Sequence, residues 1–243
     1  MATAQTKTRD RRPARKRPPL TRERVLAEAL RLVDDEGLEA LTMRRLGTRL
    51  GVEAMSLYNH VDGKAGLQAG IVGLLWDEVD RSLTDDEGWR DSLRSLARSL
   101  RALAIDHPHA FSLLMSASAF AEPMLRALGR GLAVLRDAGF GDERSSKTLN
   151  AVVGYAAGYG AMEISCFAAG YAGSDGSAQR DDLVELTQAL PPSTPPKLVR
   201  VARDTCMCNV DEQFEFGLEA LLAGLDPDCE TIAPPAGGTA ELG

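Results

Sequence analysis

The 243-residue chain has little cysteine, few aromatic side chains and no window that alternates apolar and polar residues at the two-residue period of a strand. Its four cysteines (Cys166, Cys206, Cys208, Cys229) are too few for a disulfide scaffold. Cys206 and Cys208 are separated by a single residue, whereas structural zinc sites use spacers of roughly two to four. They read as reduced thiols, which places the protein in the cytoplasm, and neither a metal nor a cofactor is expected. A secretion signal is also missing: the basic start, Arg9 to Arg17, runs into Pro18 and Pro19 and then a charged helix, with no apolar stretch before it. Long hydrophobic runs are absent. Ala151 to Gly173 comes nearest, but five glycines, Glu163 and Ser165 interrupt it, so it reads as a buried helix and not a membrane span. No internal repeat is present.

What the chain does have is charge, unevenly placed. The formal net charge is −7, yet residues 1–66 carry 14 Lys+Arg against 9 Asp+Glu, while residues 67–243 carry 14 against 26. A basic head on an acidic body suggests an acidic macromolecular partner at the N-terminal end. Residues 1–19 hold seven basic side chains, one acid and three prolines, which predicts a mobile basic arm with nothing to pack. From Leu20 to Gly66 the balance is seven basic to eight acidic, so the surplus lies in the arm.

Apolar spacing then predicts helices throughout. Thr21 caps a helix carrying Val25, Leu26, Ala29, Leu30, Leu32 and Val33 up to Gly37. Thr42 caps a short helix with Met43, Leu46 and Leu50 on one face, closed by Gly51. A third spans about Glu53 to His60, and a fourth starts near Lys64 and runs through Ile71, Leu75 and Val79. Beyond a polar turn, Leu93, Leu96, Ala97, Leu100, Leu103 and Ala104 mark a strongly amphipathic helix. Further helices are expected around Phe111 to Ser118, from Pro123 with a stripe of Leu125, Leu128, Leu132 and Leu135 to Gly139, over Ser145 to Ala169, and over Asn209 to Ala223. Turn-rich runs cover Gly170 to Gln179 and Pro191 to Pro196, and the tail from Asp226 frays. The fold class is all-α: an N-terminal three-helix unit over 20–66, a helical bundle over 67–225, an arm over 1–19 and a flexible tail over 226–243.

The two short helices joined at Gly51, preceded by a longer one, make a helix-turn-helix. Met43, Leu46, Leu50, Val52 and Leu57 supply its small core, leaving the other faces for hydrogen-bonding side chains. In such a motif the second helix enters the major groove, so Ala54, Met55, Ser56, Asn59 and His60 are the candidates for base edges. Asn can pair in bidentate fashion with adenine, and small or apolar side chains touch the thymine methyl. Tyr58, Lys64 and the Thr42 hydroxyl are placed to bond phosphates. For Asn59 and His60 a plain solvated surface is the alternative, and for the arm a solubility tail.

The run from Arg24 to Leu75 resembles the DNA-binding domain of the tetracycline-repressor (TetR/AcrR) family. The resemblance rests on Gly37, Leu41-Thr42, Gly51-Val52, Leu57-Tyr58, Val61 and Lys64 at these intervals, above all in Gly51-Val-Glu-x-x-Ser-Leu-Tyr-x-His-Val61. It implies a homodimeric, ligand-responsive repressor with Thr42, Tyr58 and Lys64 on phosphates and Arg44 near the bases. Two positions depart from the family: Gly47 replaces its usual Ala, at a helix-propensity cost of roughly 1 kcal/mol, and Asn59 stands where an aromatic is common.

Beyond residue 80 the resemblance is weaker. Glu87-x-Trp89-Arg-Asp-x-Leu-Arg94, Arg136-Asp-Ala-Gly139-Phe and the Gly154 to Glu163 helix are similar to the C-terminal domain of the tetracycline repressors, which use a His and a Glu to bind a magnesium-chelated drug. Glu163 falls at the Glu position, but the His position is near Leu114, so neither tetracycline nor magnesium is expected. His107 and His109 read as a helix-start feature beside Pro108. The apolar side chains Leu96, Leu100, Leu103, Phe111, Leu114, Met115, Leu128, Leu132 and Met162 line a cavity for an apolar effector on one reading and form plain core on the other. Glu163 is either the polar contact to that effector or an ion pair across a dimer. The Gly154-x-x-x-Gly158 spacing, with Ala151, Ala157 and Ala161, allows close approach of another helix. The family implies a four-helix dimer interface completed by Val210, Phe214, Leu218, Leu221 and Leu222.

The expected partners are therefore a palindromic double-stranded operator, a small effector and a second copy of the chain, with no membrane. Dimerisation would set two recognition helices one DNA turn apart, roughly 34–36 Å. An enzyme with an appended DNA-binding domain is the rival class, but the sequence has no nucleophile elbow, phosphate-binding Gly loop or Ser/His/Asp set. A ligand-independent regulator or an activator differs only in its regulation.

Overall fold

The computed structural model describes residues 19–82, 88–116, 122–168, 191, 193–197 and 210–225. The arm before residue 19, the run 170–179, the thiols of Cys206, Cys208 and Cys229 and the tail from 226 lie outside them. Among the described residues all regular structure is helical: α1 (Arg22–Glu36), a 3-10 turn (Leu38–Ala40), α2 (Met43–Leu50), α3 (Ala54–Leu57), α4 (Gly63–Ser82), α5 (Trp89–Asp106), α6 (Pro108–Ser116), α7 (Glu122–Asp137), α8 (Asp142–Ala168) and α9 (Val210–Ala223). No helix among them is long and apolar enough to cross a membrane.

Local chemistry sets the first elements. The Thr21 hydroxyl accepts from the Arg24 N–H and caps α1, and the Gly37 N–H closes it on the Val33 carbonyl. Val25, Leu26, Ala29, Leu32 and Val33 form its buried face. Thr42 caps α2 by accepting from the Arg45 N–H. Gly51, with φ 69° and ψ 36°, takes the left-handed conformation that ends it, a geometry that costs a residue with a Cβ. The third helix is shorter than its expected span: α3 stops at Leu57, and in the turns that follow the Tyr58 N–H donates to the Met55 carbonyl and the His60 N–H to the Leu57 carbonyl.

Gly47 has a steric reason. A Cβ there would lie 2.9 Å from the Val52 carbonyl oxygen and 3.2 Å from the Ala54 amide nitrogen, so α2 touches the turn before α3 at backbone distance. The same closeness lets the Val52 N–H donate to the Gly47 carbonyl at 2.9 Å.

α4 passes from the DNA-binding unit into the bundle as one continuous helix, so the expected boundary at 66/67 falls inside it. Gly70 admits α1, since a Cβ there would meet the Leu26 side chain at 2.3 Å. In the bundle, the most extensive packing joins α5 to α8. Leu93, Leu96, Leu100 and Leu103 of α5 are buried, each stabilising the fold by roughly 1.5–3 kcal/mol relative to an exposed leucine. The helices approach closely at Gly160, where a Cβ would lie 2.6 Å from the Ala104 methyl. Trp89 and Phe140 meet edge to face at 5.0 Å and tie the start of α5 to the end of α7. The buried face of α7 differs from the expected stripe: Ala127, Gly131 and Leu135 point inward, Leu128 and Leu132 are partly buried and Leu125 is exposed. Small residues face inward because Leu149 of α8 fills the space, 3.0 Å from a Cβ at Gly131.

Candidate DNA interface and regulatory core

Leu57 holds α3 in place, wholly buried with Leu46, while Val61 closes the motif behind it. Anchoring by that one side chain turns the rest of the segment outward. Met55 is 73% exposed and Tyr58 51%, with Asn59 also exposed and Ala54, Ser56 and His60 half-buried. Thr42, Arg44 and Lys64 are exposed on the flanking elements. The Tyr58 ring lies at the start of α4, with its Cε1 3.7 Å from a Cβ at Gly63, so Tyr58 and Lys64 sit on one shoulder. Thr42 uses an oxygen lone pair for its cap and keeps its O–H to donate. Six of the nine sequence-derived DNA candidates lie on α3 and the turns after it, Thr42 and Arg44 at the start of α2 and Lys64 at the start of α4.

The charges around them are shared out by α1. Arg49 donates to Glu28 at 2.8 Å, Asp35 at 2.7 Å and Glu36 at 3.3 Å, and Arg45 pairs with Glu36. Hydrogen bonds to Asp35 and Glu28 push the Arg49 guanidinium above its ordinary value. Two of the three α2 arginines therefore face an acidic rim on α1. Arg44 and Lys64 make no ion pair among the described residues. Sequence reading missed this rim, because Glu28 and Arg49 are 21 positions apart and no local pattern links them.

In the bundle, Glu163 is 3% exposed and accepts from Arg101 through both carboxylate oxygens, at 2.7 and 2.6 Å. This ion pair lies within one chain and gives Glu163 a partner that the sequence reading did not name. Arg101 also donates to Asp211 of α9 at 2.6 Å and lies over the Phe214 ring at 4.7 Å. The hydrogen bonds that the Arg101 guanidinium donates to Glu163 hold it above the ordinary range. Tyr155 donates to the Phe214 carbonyl and Tyr159 to the Val210 carbonyl, and their rings pack on Phe214 at 5.5 and 5.3 Å. Burial pushes both phenols up, which keeps them protonated as donors.

The other expected bundle residues divide. Leu96, Leu100 and Phe111 are fully packed core, and Leu114 and Leu132 are partly buried. Met115 and Met162 are 55% and 42% exposed, so they do not line an interior with the others: the register of α6 turns Leu113 inward, and that of α8 turns Glu163 inward. Phe214 and Leu218, expected on the dimer face, are wholly buried against their own chain. Gly154 and Gly158 have open space over their Cβ positions, Leu221 is partly buried and Phe216 of α9 is 76% exposed. Close approach inside the chain uses Gly160 and Gly217 instead; a Cβ at Gly217 would strike the Tyr155 hydroxyl at 2.3 Å. His107, read as a helix-start residue, bonds Asp34 of α1 at 2.9 Å.

Comparison with known proteins agrees with this layout. Residues 25–70 match the model of bacterial regulatory proteins of the tetR family, and residues 82–228 match the tetracyclin repressor-like C-terminal domain. An HTH-type transcriptional repressor, DrrR1, of Streptomyces coeruleorubidus is 31% identical over 224 residues, 89% of this chain and 81% of that protein. The crystal structure of a possible TetR family transcriptional regulator from Streptomyces coelicolor A3(2) superposes with a TM-score of 0.70 at 30% identity, covering 84% of this chain and 98% of that one. The TetR family protein ActR from Streptomyces coelicolor, in complex with actinorhodin, gives 0.68 at 26% identity over 85% of this chain and 95% of its own. With both of its domains matched and its helix-turn-helix intact, the chain belongs to the tetR family of bacterial transcriptional regulators.

Proposed function

We propose that the chain is a transcriptional repressor that binds a palindromic operator in the cytoplasm as a homodimer and leaves it when a small apolar effector binds the bundle. The observation that carries this reading is the outward display of Met55, Tyr58 and Asn59 on a segment anchored by the buried Leu57. Thr42, Tyr58 and Lys64 bond phosphates, and Arg44, Ala54, Met55, Ser56, Asn59 and His60 meet base edges. With Arg45 and Arg49 neutralised by α1, sequence preference rests on few side chains. The second copy docks on the open small-residue face of α8 at Gly154 and Gly158, together with Phe216 and Leu221 of α9.

ActR, described with actinorhodin bound, supports a polycyclic organic effector for this bundle. Its site draws on Leu96, Leu100, Phe111, Leu114 and Leu132, with Met115 and Met162 at the rim. Those core side chains are already packed, so an effector enters by favouring a rearranged bundle whose DNA-binding units are wrongly spaced, which shifts the population off the operator. The protein acts through these linked binding equilibria and not through catalysis.

Selection of bound duplexes from a random pool, followed by release with a panel of polycyclic aromatic compounds that includes actinorhodin, tests the reading. A palindrome with half-sites about one helical turn apart, and its release by at least one compound, is the expected result. Selection of no palindrome overturns the repressor reading. A palindrome released by none of the compounds favours the ligand-independent alternative.

A further inference from the structure

The DNA-binding unit joins the bundle covalently through α4 and touches it a second time where α1 meets α6. His107 lies at that second junction. Its backbone is fixed on both sides, since its N–H donates to the Leu103 carbonyl at the end of α5 and its carbonyl accepts from the Phe111 N–H in the first turn of α6. From this held position the imidazole reaches across the domain boundary. Nδ1 lies 2.9 Å from Asp34 Oδ2 of α1, and Nε2 lies 3.8 Å from Glu78 Oε2 of α4. A carboxylate at the first distance only accepts, so Nδ1 carries the proton. The other Asp34 oxygen, Oδ1, is buried without a partner among the described residues, so the hydrogen bonding of that carboxylate rests on His107.

Four residues inside the bundle, Phe111 is almost fully buried, and its ring edge is 3.6 Å from a Cβ at Gly160 of α8. A contiguous path therefore runs from α8 through Phe111 and the first turn of α6 to His107, and from there to Asp34 on the helix that cradles the helix-turn-helix.

We infer that His107 is a positioning residue for operator binding: through Asp34 it latches α1 to the bundle and fixes the angle at which the recognition segment is presented. α4 alone is a single attachment, about which the DNA-binding unit can swing. The α1 latch makes it two, and two attachments define an orientation. The consequence for DNA rests on the operator-binding reading, but the latch is a property of the free chain.

The test takes the full chain with its four cysteines replaced by serine. Spin labels go on cysteines placed at the exposed Met55 and Lys147, and the labelled protein is diluted with unlabelled copies so that only distances within one chain are read. Without DNA, the parent gives one narrow distance distribution. H107A and D34A broaden it, and H107Q, which keeps a donor for Asp34, returns it toward the parent width. Circular dichroism checks that each variant is folded. An unchanged distribution in folded H107A and D34A overturns the latch whatever the protein does on DNA.

On a selected operator, the parent discriminates about tenfold against half-site separations changed by one base pair, and H107A loses that discrimination while keeping its affinity for a single half-site. A general loss of stability would weaken both together. Broadened distances in a chain that selects no palindrome would leave the latch standing and remove the repressor reading.

Discussion

Glu163 shows how much depends on a single buried charge. It is 3% exposed, and both of its oxygens are held by Arg101, whose side chain is 11% exposed. Removing Arg101 leaves Glu163 buried and unpaired, which costs about 3–5 kcal/mol, whereas replacing both with apolar residues of similar size costs far less. R101L is expected to lower the chemical-denaturation stability by that amount, and the double variant R101L/E163L to recover most of it; equal losses in the two would show that the pair is not the source of the cost. Gly47 carries the opposite kind of constraint. Ala raises helix propensity by roughly 1 kcal/mol, but its Cβ at 2.9 Å from the Val52 carbonyl has only backbone to push against. Overpacking of this kind costs typically about 1–3 kcal/mol, so it outweighs the propensity gain. G47A therefore should melt at lower temperature and bind operator more weakly, and a more stable G47A would mean that the turn into α3 yields freely.

Three rungs hold α9 along α5: Arg94 on Glu219, Arg98 on Glu215 and Arg101 on Asp211, so the two helices lie antiparallel in register. The Arg98 guanidinium holds the Glu215 carboxyl below its ordinary value, and Arg94 does the same for Glu219. A carboxylate lowered in the folded state contributes stability that is present above its unfolded pKa and lost as pH falls through its folded one. Acid should therefore loosen α9. Amide exchange in α9, corrected for intrinsic rates, is expected to speed up between about pH 6 and pH 3 more than in the core of α5; equal change in both would mean that the rungs contribute nothing. Such rungs were not legible in the sequence, because Arg94 and Glu219 are 125 residues apart and carry no shared period. The elements themselves were legible where signals are local, as with Thr21 to Gly37 and Thr42 to Gly51, whose caps hydrogen-bond within a few residues. Faces were misread where a neighbour decides: Leu149 of α8 selects Gly131 of α7, and Tyr155 and Tyr159 enclose Phe214 within the chain. The recognition segment carries less helix than its expected span, since nothing local marks Leu57 as its last helical position.

At the scale of the molecule, the charge asymmetry becomes a division of labour. The region from Leu20 to Gly66 has seven basic and eight acidic side chains, and two of its arginines are spent on the α1 rim. Its contribution to phosphate attraction is therefore small, and it is suited to reading sequence through placed side chains. The surplus cations sit at residues 1–19, seven of them against one acid. Each phosphate neutralised by such a residue releases counterions and steepens the dependence of log affinity on log salt by roughly 0.9. The body at 67–243, with 14 basic and 26 acidic residues, is repelled by the same polyanion, which favours docking by the N-terminal face alone. Deleting residues 1–19 should accordingly flatten the salt dependence of operator binding, with the greatest loss of affinity at low salt, while the sequence selected from a random pool stays the same. Fluorescence anisotropy over a salt series, run on the full chain and the deletion side by side, reads the slope directly. An unchanged slope would make the arm a solubility tail, and a changed sequence preference would mean that it reaches bases as well as phosphates.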